Sequence, residues 1–182
     1  MLHRIAHKLY NGHRLVASGS PEPTPPEPPV DPYNPLGLPA NTIRVKFSSG
    51  YTPTIYTSQT LVDSTNNVWD IYIQSNNWGQ KFSWTTELLE VLGANTTNVT
   101  TMANLFRNCT SLTSVPLFDT SNVAYMSNML NGCINVESGA LALYQQASSQ
   151  ANPPSHSQTF TNCGSNTQTG AAELAQIPSD WK

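Results

Sequence analysis

Apolar and polar residues recur with two different periods in the middle of the chain. In residues 98–112 the apolar side chains return every three or four positions, which is typical of one face of a helix. The residues on this face are Val99, Met102, Leu105, Phe106 and Cys109. The next apolar residues, Leu112, Val115 and Leu117, have the spacing of a short strand with Val115 and Leu117 on its inner side. The pattern predicts a helix followed by a strand.

The same pattern returns 24 residues later. The recurring residues are Asn98, Val99, Met102 and Cys109 in one copy and Asn122, Val123, Met126 and Cys133 in the next. A period in this range indicates a solenoid, in which each repeat is one coil stacked on its neighbour. We predict an α/β solenoid: a short leucine-rich-repeat-type right-handed coil of about 24-residue repeats, with a small β cap on its N-terminal side and a helical C-terminal cap.

The predicted core of this solenoid is continuous from one repeat to the next. Its members are Val99, Met102, Phe106, Cys109, Val115, Leu117, Val123, Met126 and Leu130. Outside the repeats, alternation predicts a strand at residues 42–47 and a second strand within residues 51–62. Residues 138–150 and 170–176 have the composition of two short capping helices.

These patterns divide the chain into five segments. They are an amphipathic docking segment (1–17), a Pro-rich linker (18–39), a β-rich cap (40–73), the repeat coils (74–136) and a C-terminal cap (137–182). The high proline content of the linker predicts an extended polyproline spacer, and a docking motif for a proline-binding domain is the alternative.

The first segment carries an apolar stripe at helical spacing. Its residues are Leu2, Ile5, Ala6 and Leu9. A helix this short does not persist alone, so we expect the stripe to dock on a larger protein assembly, a virion or a cell envelope. His3 and His7 lie on the other side and could share a metal ion, but a solvated polar face is the simpler interpretation.

Charge and composition narrow the function classes. Only 10% of the residues are charged and the net charge is -3, which argues against a nucleic-acid surface. Asn, Thr and Ser replace charged residues, as suits an extracellular or particle-bound protein. No stretch approaches the roughly 20 apolar residues of a membrane span, and no secretion signal is recognised at the N-terminus.

The three cysteines are interpreted as small buried hydrophobes. Cys109, Cys133 and Cys163 are odd in number and fit no compact zinc motif, so we expect three free thiols, with a redox or metal role as the alternative. The acids Asp63, Asp70, Glu87 and Glu90 form no recognisable pair with a base. We therefore predict no catalytic, cofactor-binding or metal-binding residue, and no enzyme.

The repeat resembles a known family. The pattern Asn-Val-x-x-Met-x-x-(Leu/Met)-(Phe/Leu)-x-x-Cys in residues 98–109 and 122–133 is similar to the BspA-like leucine-rich repeat of bacterial surface proteins. The resemblance covers roughly residues 75–136 and implies a right-handed solenoid used for adhesion, without an active site. Few coils are present here, and Leu130 replaces the usual Phe. The body also resembles small repeat proteins encoded by gut phages. Near the N-terminus, the sequence of residues 8–12 is similar to the first residues of phage structural proteins.

These observations predict a display or adhesion protein at a virion or bacterial cell surface, anchored by its N-terminal segment. The alternative is a free binding module that recognises a protein or glycan through the strand face of the solenoid. The candidate residues of that exposed face are Glu90, Leu92, Ser114, Pro116 and Phe118.

Overall fold

A computed structural model describes residues 30–54 and 58–182. The docking segment 1–17, with Leu2, Ile5, Ala6 and Leu9, lies outside the described residues, as does the linker up to residue 29. In chain order the strands are β1 (Thr42–Phe47), β2 (Ser58–Asp63), β3 (Val68–Tyr72) and β4 (Leu88–Asn95). They are followed by helices α1 (Ala140–Ser148) and α2 (Gln168–Gln176) and by a 3-10 turn at Ser179–Trp181.

The four strands form one antiparallel sheet in the order β2-β3-β1-β4. The predicted strand at residues 42–47 is confirmed as β1, and its alternation explains its central position. Ile43, Val45 and Phe47 are buried, while the residues between them reach neighbouring strands. Arg44 pairs with Asp70 on β3 at 2.6 Å, and Lys46 pairs with Glu90 on β4 at 2.8 Å, in each case directly across the strands.

The predicted α/β solenoid fold is wrong. In the described part of the chain no regular helix or strand recurs with the 24-residue period, and the regular elements are a small antiparallel sheet and two short helices. Residues 98–109, predicted as a helix, form turns. The reason is local: Asn104 and Asn108 have φ of 59° and 58°, and left-handed residues placed four apart interrupt a right-handed helix.

The recurrence appears instead as stacked turns. We call residues 77–84, 101–108, 125–132 and 155–162 the turn rows. Alternate N–H groups of one row donate to carbonyls of the next, as Asn104 does to Ser127 at 2.9 Å. The intervening N–H groups close turns within their own row, as Leu105 does on Met102 at 3.0 Å. Each row thereby satisfies its backbone without a helix or a long strand.

The apolar side chains of the rows and the sheet form one core. Eight of the nine predicted core residues are confirmed, because these eight lie in one buried cluster. The exception is Leu117, which is partly exposed while Phe118 is fully buried. Only Ser114 forms a bridge in this segment, so the alternation expected of a strand is not maintained here. Phe106 lies against Phe82 and Phe118, with ring centroids 5.6 and 6.1 Å apart.

The folded body extends upstream of residue 40. Leu38 is 4% exposed, and its carbonyl accepts hydrogen bonds from the side-chain amides of Asn34 and Asn95. A Cβ at Gly93 would lie 2.7 Å from Leu36, so this glycine allows the segment to approach β4 closely. The end of the predicted linker is therefore packed on the sheet.

The two predicted capping helices are present as α1 and α2. The Thr167 hydroxyl accepts a hydrogen bond from the Gly170 N–H at 3.0 Å and caps α2. Glu173 of α2 accepts a hydrogen bond from the Leu141 N–H of α1 at 3.0 Å, which joins the helices. Neither these helices nor any other in the described ranges is long and apolar enough to cross a membrane.

Candidate functional site

The outer side of the turn rows carries two series of left-handed residues. The first series contains only carboxamides: Gln80, Asn104, Asn128 and Gln158. The second series comprises Trp84, Asn108, Gly132 and Asn162. Asn and Gly adopt positive φ more readily than other residues, which explains most of these positions. It does not explain Trp84.

Trp84 is exceptional because a bulky aromatic residue adopts this conformation and is also exposed. It has a φ of 65°, where a bulky side chain is an outlier, and it is 68% exposed. Its backbone N–H donates to the Arg107 carbonyl at 2.8 Å, which fixes the residue in its row. Its indole ring makes no hydrogen bond or ring contact within the described residues. The backbone of Trp84 is thus fixed in its row, while most of the side chain is exposed.

A shallow depression lies between the first two rows, beside this ring. Its lining residues are Gln80, Ser83, Trp84, Asn104 and Arg107. A second depression continues from Gln80 and Asn104 toward Asn77 and Thr101. We call the two together the outer groove. At its far end Thr101 is bridged to Tyr125, which is 59% exposed.

Backbone bonds between the rows hold the outer groove in shape. The Arg107 carbonyl accepts the Trp84 N–H at 2.8 Å and the Ser83 hydroxyl at 3.4 Å. The Gln80 N–H donates to Ala103 at 3.1 Å. The guanidinium of Arg107 has no carboxylate partner in the part of the chain that the structure describes. The groove therefore offers an aromatic face, a forked cationic donor, amides and a hydroxyl, which together suit binding.

The predicted strand face is only partly assembled. Glu90 of β4 bridges to Ser114, but its carboxylate is engaged by Lys46 at 2.8 Å. Leu92 is 38% exposed, and Pro116 is partly exposed. Phe118 is fully buried and does not belong to an exposed face, because its ring packs against Phe106 in the core.

Sequence reasoning missed Trp84 and Arg107. Trp84 lies outside the copies in which the repeat is clear, and its φ cannot be read from residue type. A signal was nevertheless present, since aligning the copies places Trp84 at the position of Asn108. An aromatic residue there breaks the Asn or Gly preference of the position.

The cysteines lie in the core rather than at a reactive site. The prediction of free thiols is confirmed for Cys109, Cys133 and Cys163, and all three are buried. Cys109 donates to the Phe82 carbonyl at 2.9 Å. Burial raises the pKa of all three thiols, that of Cys163 to about 12, so the unreactive thiol form persists.

Two further titratable residues, His156 and Arg44, make structural contacts. His156 stacks on Trp181 with ring centroids 3.9 Å apart and lies 3.6 Å from Asp180. The hydrogen bond from Arg44 to Asp70 raises the pKa of the guanidinium. Across residues 30–54 and 58–182, no three or more His, Cys, Asp or Glu side chains are grouped so that they could hold a metal ion.

Comparison with protein families gives one finding. Residues 76–168, roughly half of the chain, match the family described as Mycoplasma protein of unknown function, DUF285. The matched range contains all four turn rows, β4 and α1. Comparisons with curated proteins and with solved structures find no match.

Proposed function

We propose that this chain, which belongs to the family described as Mycoplasma protein of unknown function, DUF285, is a non-enzymatic display and adhesion protein. In this proposal the N-terminal segment anchors the chain on a bacterial cell surface or a virion. The folded body then presents the outer groove to the surroundings. The BspA-like resemblance of residues 98–133 supports the adhesive role.

The observation that carries the proposal is the outer groove. Trp84 exposes a large aromatic face that packing does not require, and the adjacent Arg107 has no carboxylate partner among the described residues. Exposed aromatic and arginine side chains beside one another are typical of residues that dominate binding energy. Five potentially reactive groups support a non-enzymatic role. The three thiols are buried, and the carboxylates of Asp70 and Glu90 are engaged by basic side chains.

The amino-acid sequence supports the anchor. Leu2, Ile5, Ala6 and Leu9 form an apolar stripe at helical spacing, and the Pro-rich linker separates it from the body. Burial of this stripe on a partner would contribute about 25 cal/mol per Å² of apolar area. That free energy would offset the cost of forming a helix that is too short to persist alone.

A free binding module is the second candidate function. The outer groove favours this function, because a binding surface on the folded body can hold a partner without a carrier assembly. In that case the body alone holds a protein or glycan, and the N-terminal stripe is dispensable for attachment. The two candidates therefore differ in which end of the chain holds the carrier.

Sedimentation with bacterial envelopes and with phage particles separates the candidates. The full chain is compared with an Ile5→Glu/Leu9→Glu variant, a Trp84→Asn variant, and a His3→Gln/His7→Gln control on the polar side of the segment. The proposal predicts that only the Ile5→Glu/Leu9→Glu variant fails to sediment. If Trp84→Asn is the variant that is lost, the free binding module takes its place. Failure of the unaltered chain to attach to either carrier contradicts the display role.

A further inference from the structure

We infer that the outer groove binds a carboxylated sugar, with Trp84 stacking on the ring and Arg107 pairing with the carboxylate. The inference rests on the proposed binding role of this groove and names the class of ligand. It is carried by three features of the groove: an aromatic face, one cation and a set of neutral amides and hydroxyls.

The aromatic residue is retained against the preference of the backbone. At the equivalent position the other three turn rows have Asn108, Gly132 and Asn162, all with positive φ. Trp84 adopts the same conformation with a bulky side chain, and its exposed ring adds nothing to the core. Strained residues of this kind persist mainly at functional sites. A flat, exposed indole fits the apolar C–H face of a pyranose ring.

A cation at the position of Arg107 occurs only in the second row, as an indole at the position of Trp84 occurs only in the first. The positions equivalent to Arg107 are Ser83, Asn131 and Thr161, all neutral. The Arg107 carbonyl accepts the N–H of Trp84, so the backbones of the two residues are held side by side, and both residues line the same depression. A guanidinium matches a carboxylate with two parallel hydrogen bonds.

The rest of the lining fits hydroxyl groups. Gln80 and Asn104 each offer a donor and an acceptor, and Ser83 adds a hydroxyl. Arg107 is the only cation among the lining residues, which matches one negative charge rather than a polyanion. A sugar that carries a single carboxylate satisfies the aromatic, the cationic and the amide features together.

Calorimetric titration of the full chain tests the inference with matched sugar pairs. The probes are sialyllactose against lactose and trigalacturonate against maltotriose. We expect at least one acidic sugar to bind about tenfold or more tightly than its neutral match. Trp84→Asn should weaken binding of that sugar by about tenfold or more, and Arg107→Gln should remove the preference for the acidic member. Because Asn already occupies the equivalent position in neighbouring rows, Trp84→Asn should keep the thermal midpoint of the parent.

The control is Tyr72→Ala, which removes an exposed aromatic ring on β3, outside the groove, and should leave binding unchanged. Absence of binding to both acidic sugars overturns the inference, as does equal binding to the neutral sugars or to a Glu-rich peptide. Undiminished binding by folded Trp84→Asn and Arg107→Gln overturns it as well. These results leave the N-terminal attachment experiment unaffected, so failure of the sugar inference and failure of the display role are distinguishable.

Discussion

The thiol of Cys133 donates a hydrogen bond to the backbone carbonyl of Phe106, 2.9 Å away. One row earlier Cys109 makes the same bond to Phe82. The repeated cysteine is thus a small core residue that also satisfies a carbonyl. The cysteine recurs after 24 residues because the rows stack with the same spacing.

We expect all three thiols to react slowly with iodoacetamide at pH 8 and rapidly once denaturant is added. The reason is that burial removes access and raises each thiol pKa. Mass spectrometry of timed samples measures this. Rapid labelling of the native chain, or a bridge between Cys109 and Cys133, contradicts the arrangement.

Stability should also fall in alkali. The thiol pKa of Cys133 is raised above its ordinary value of 9.0, so its contribution is fully present below that pH and is lost as pH rises. Between pH 8 and 10.5 this amounts to about 2 kcal/mol for one thiol. Cys133→Ala should therefore lose about 2 kcal/mol less than the parent over this range. Equal losses in urea unfolding would show that the thiol titrates as if exposed.

The left-handed positions of the rows predict unequal costs for two substitutions of the same residue. Asn162 has a φ of 57° and is exposed, so Asn162→Ala should cost about 1–2 kcal/mol, while Asn162→Gly should cost only a few tenths. Trp84→Asn relieves the same kind of strain and should not destabilise the protein. Urea midpoints measure these differences. Equal costs for Ala and Gly at position 162 would exclude backbone conformation as the cause.

How far the sequence predicted this structure depends on the range of the interactions. β1 and the capping helices follow from local periodicity, and the free thiols from cysteine spacing. The prediction of a helix at residues 98–109 is wrong because Asn104 and Asn108 adopt left-handed conformations, which the spacing of apolar residues does not reveal. Periodicity places residues 88–95 among the repeat coils, and it does not reveal their long-range antiparallel pairing with β1. The alignment of the copies marks Trp84 as unusual, but the sequence does not show that it lies beside Arg107, because the two residues meet only through the bonding of neighbouring rows.

The packed segment before β1 predicts where the body begins. A chain that starts at Asp31 should retain the stability of the full chain, whereas one that starts at Ala40 should lose about 2 kcal/mol or more. The loss arises because Leu38 is buried and its carbonyl accepts bonds from Asn34 and Asn95. Thermal unfolding of the two shortened chains gives the answer. Equal midpoints would mean that residues 31–39 do not contribute to the fold.

The continuous core predicts that Met102→Asp abolishes folding. Met102 is fully buried, and a carboxylate there has no partner. Ala124→Asp is the control, because Ala124 is exposed directly before the neighbouring row and should accept the charge at little cost. Near-UV circular dichroism follows both. A cooperative transition in Met102→Asp equal to that of the parent would contradict the core described for the rows.

The most direct test of the display and adhesion role measures both ends of the chain at once. Carrier particles loaded with the full protein are passed over the immobilised acidic sugar that the chain binds in calorimetry, and retained particles and carrier-bound protein are both counted. We expect Trp84→Asn to lower retention about tenfold while the amount of protein on the particles is unchanged. Equal retention of parent and variant, or loss of the variant from the particles themselves, would contradict it.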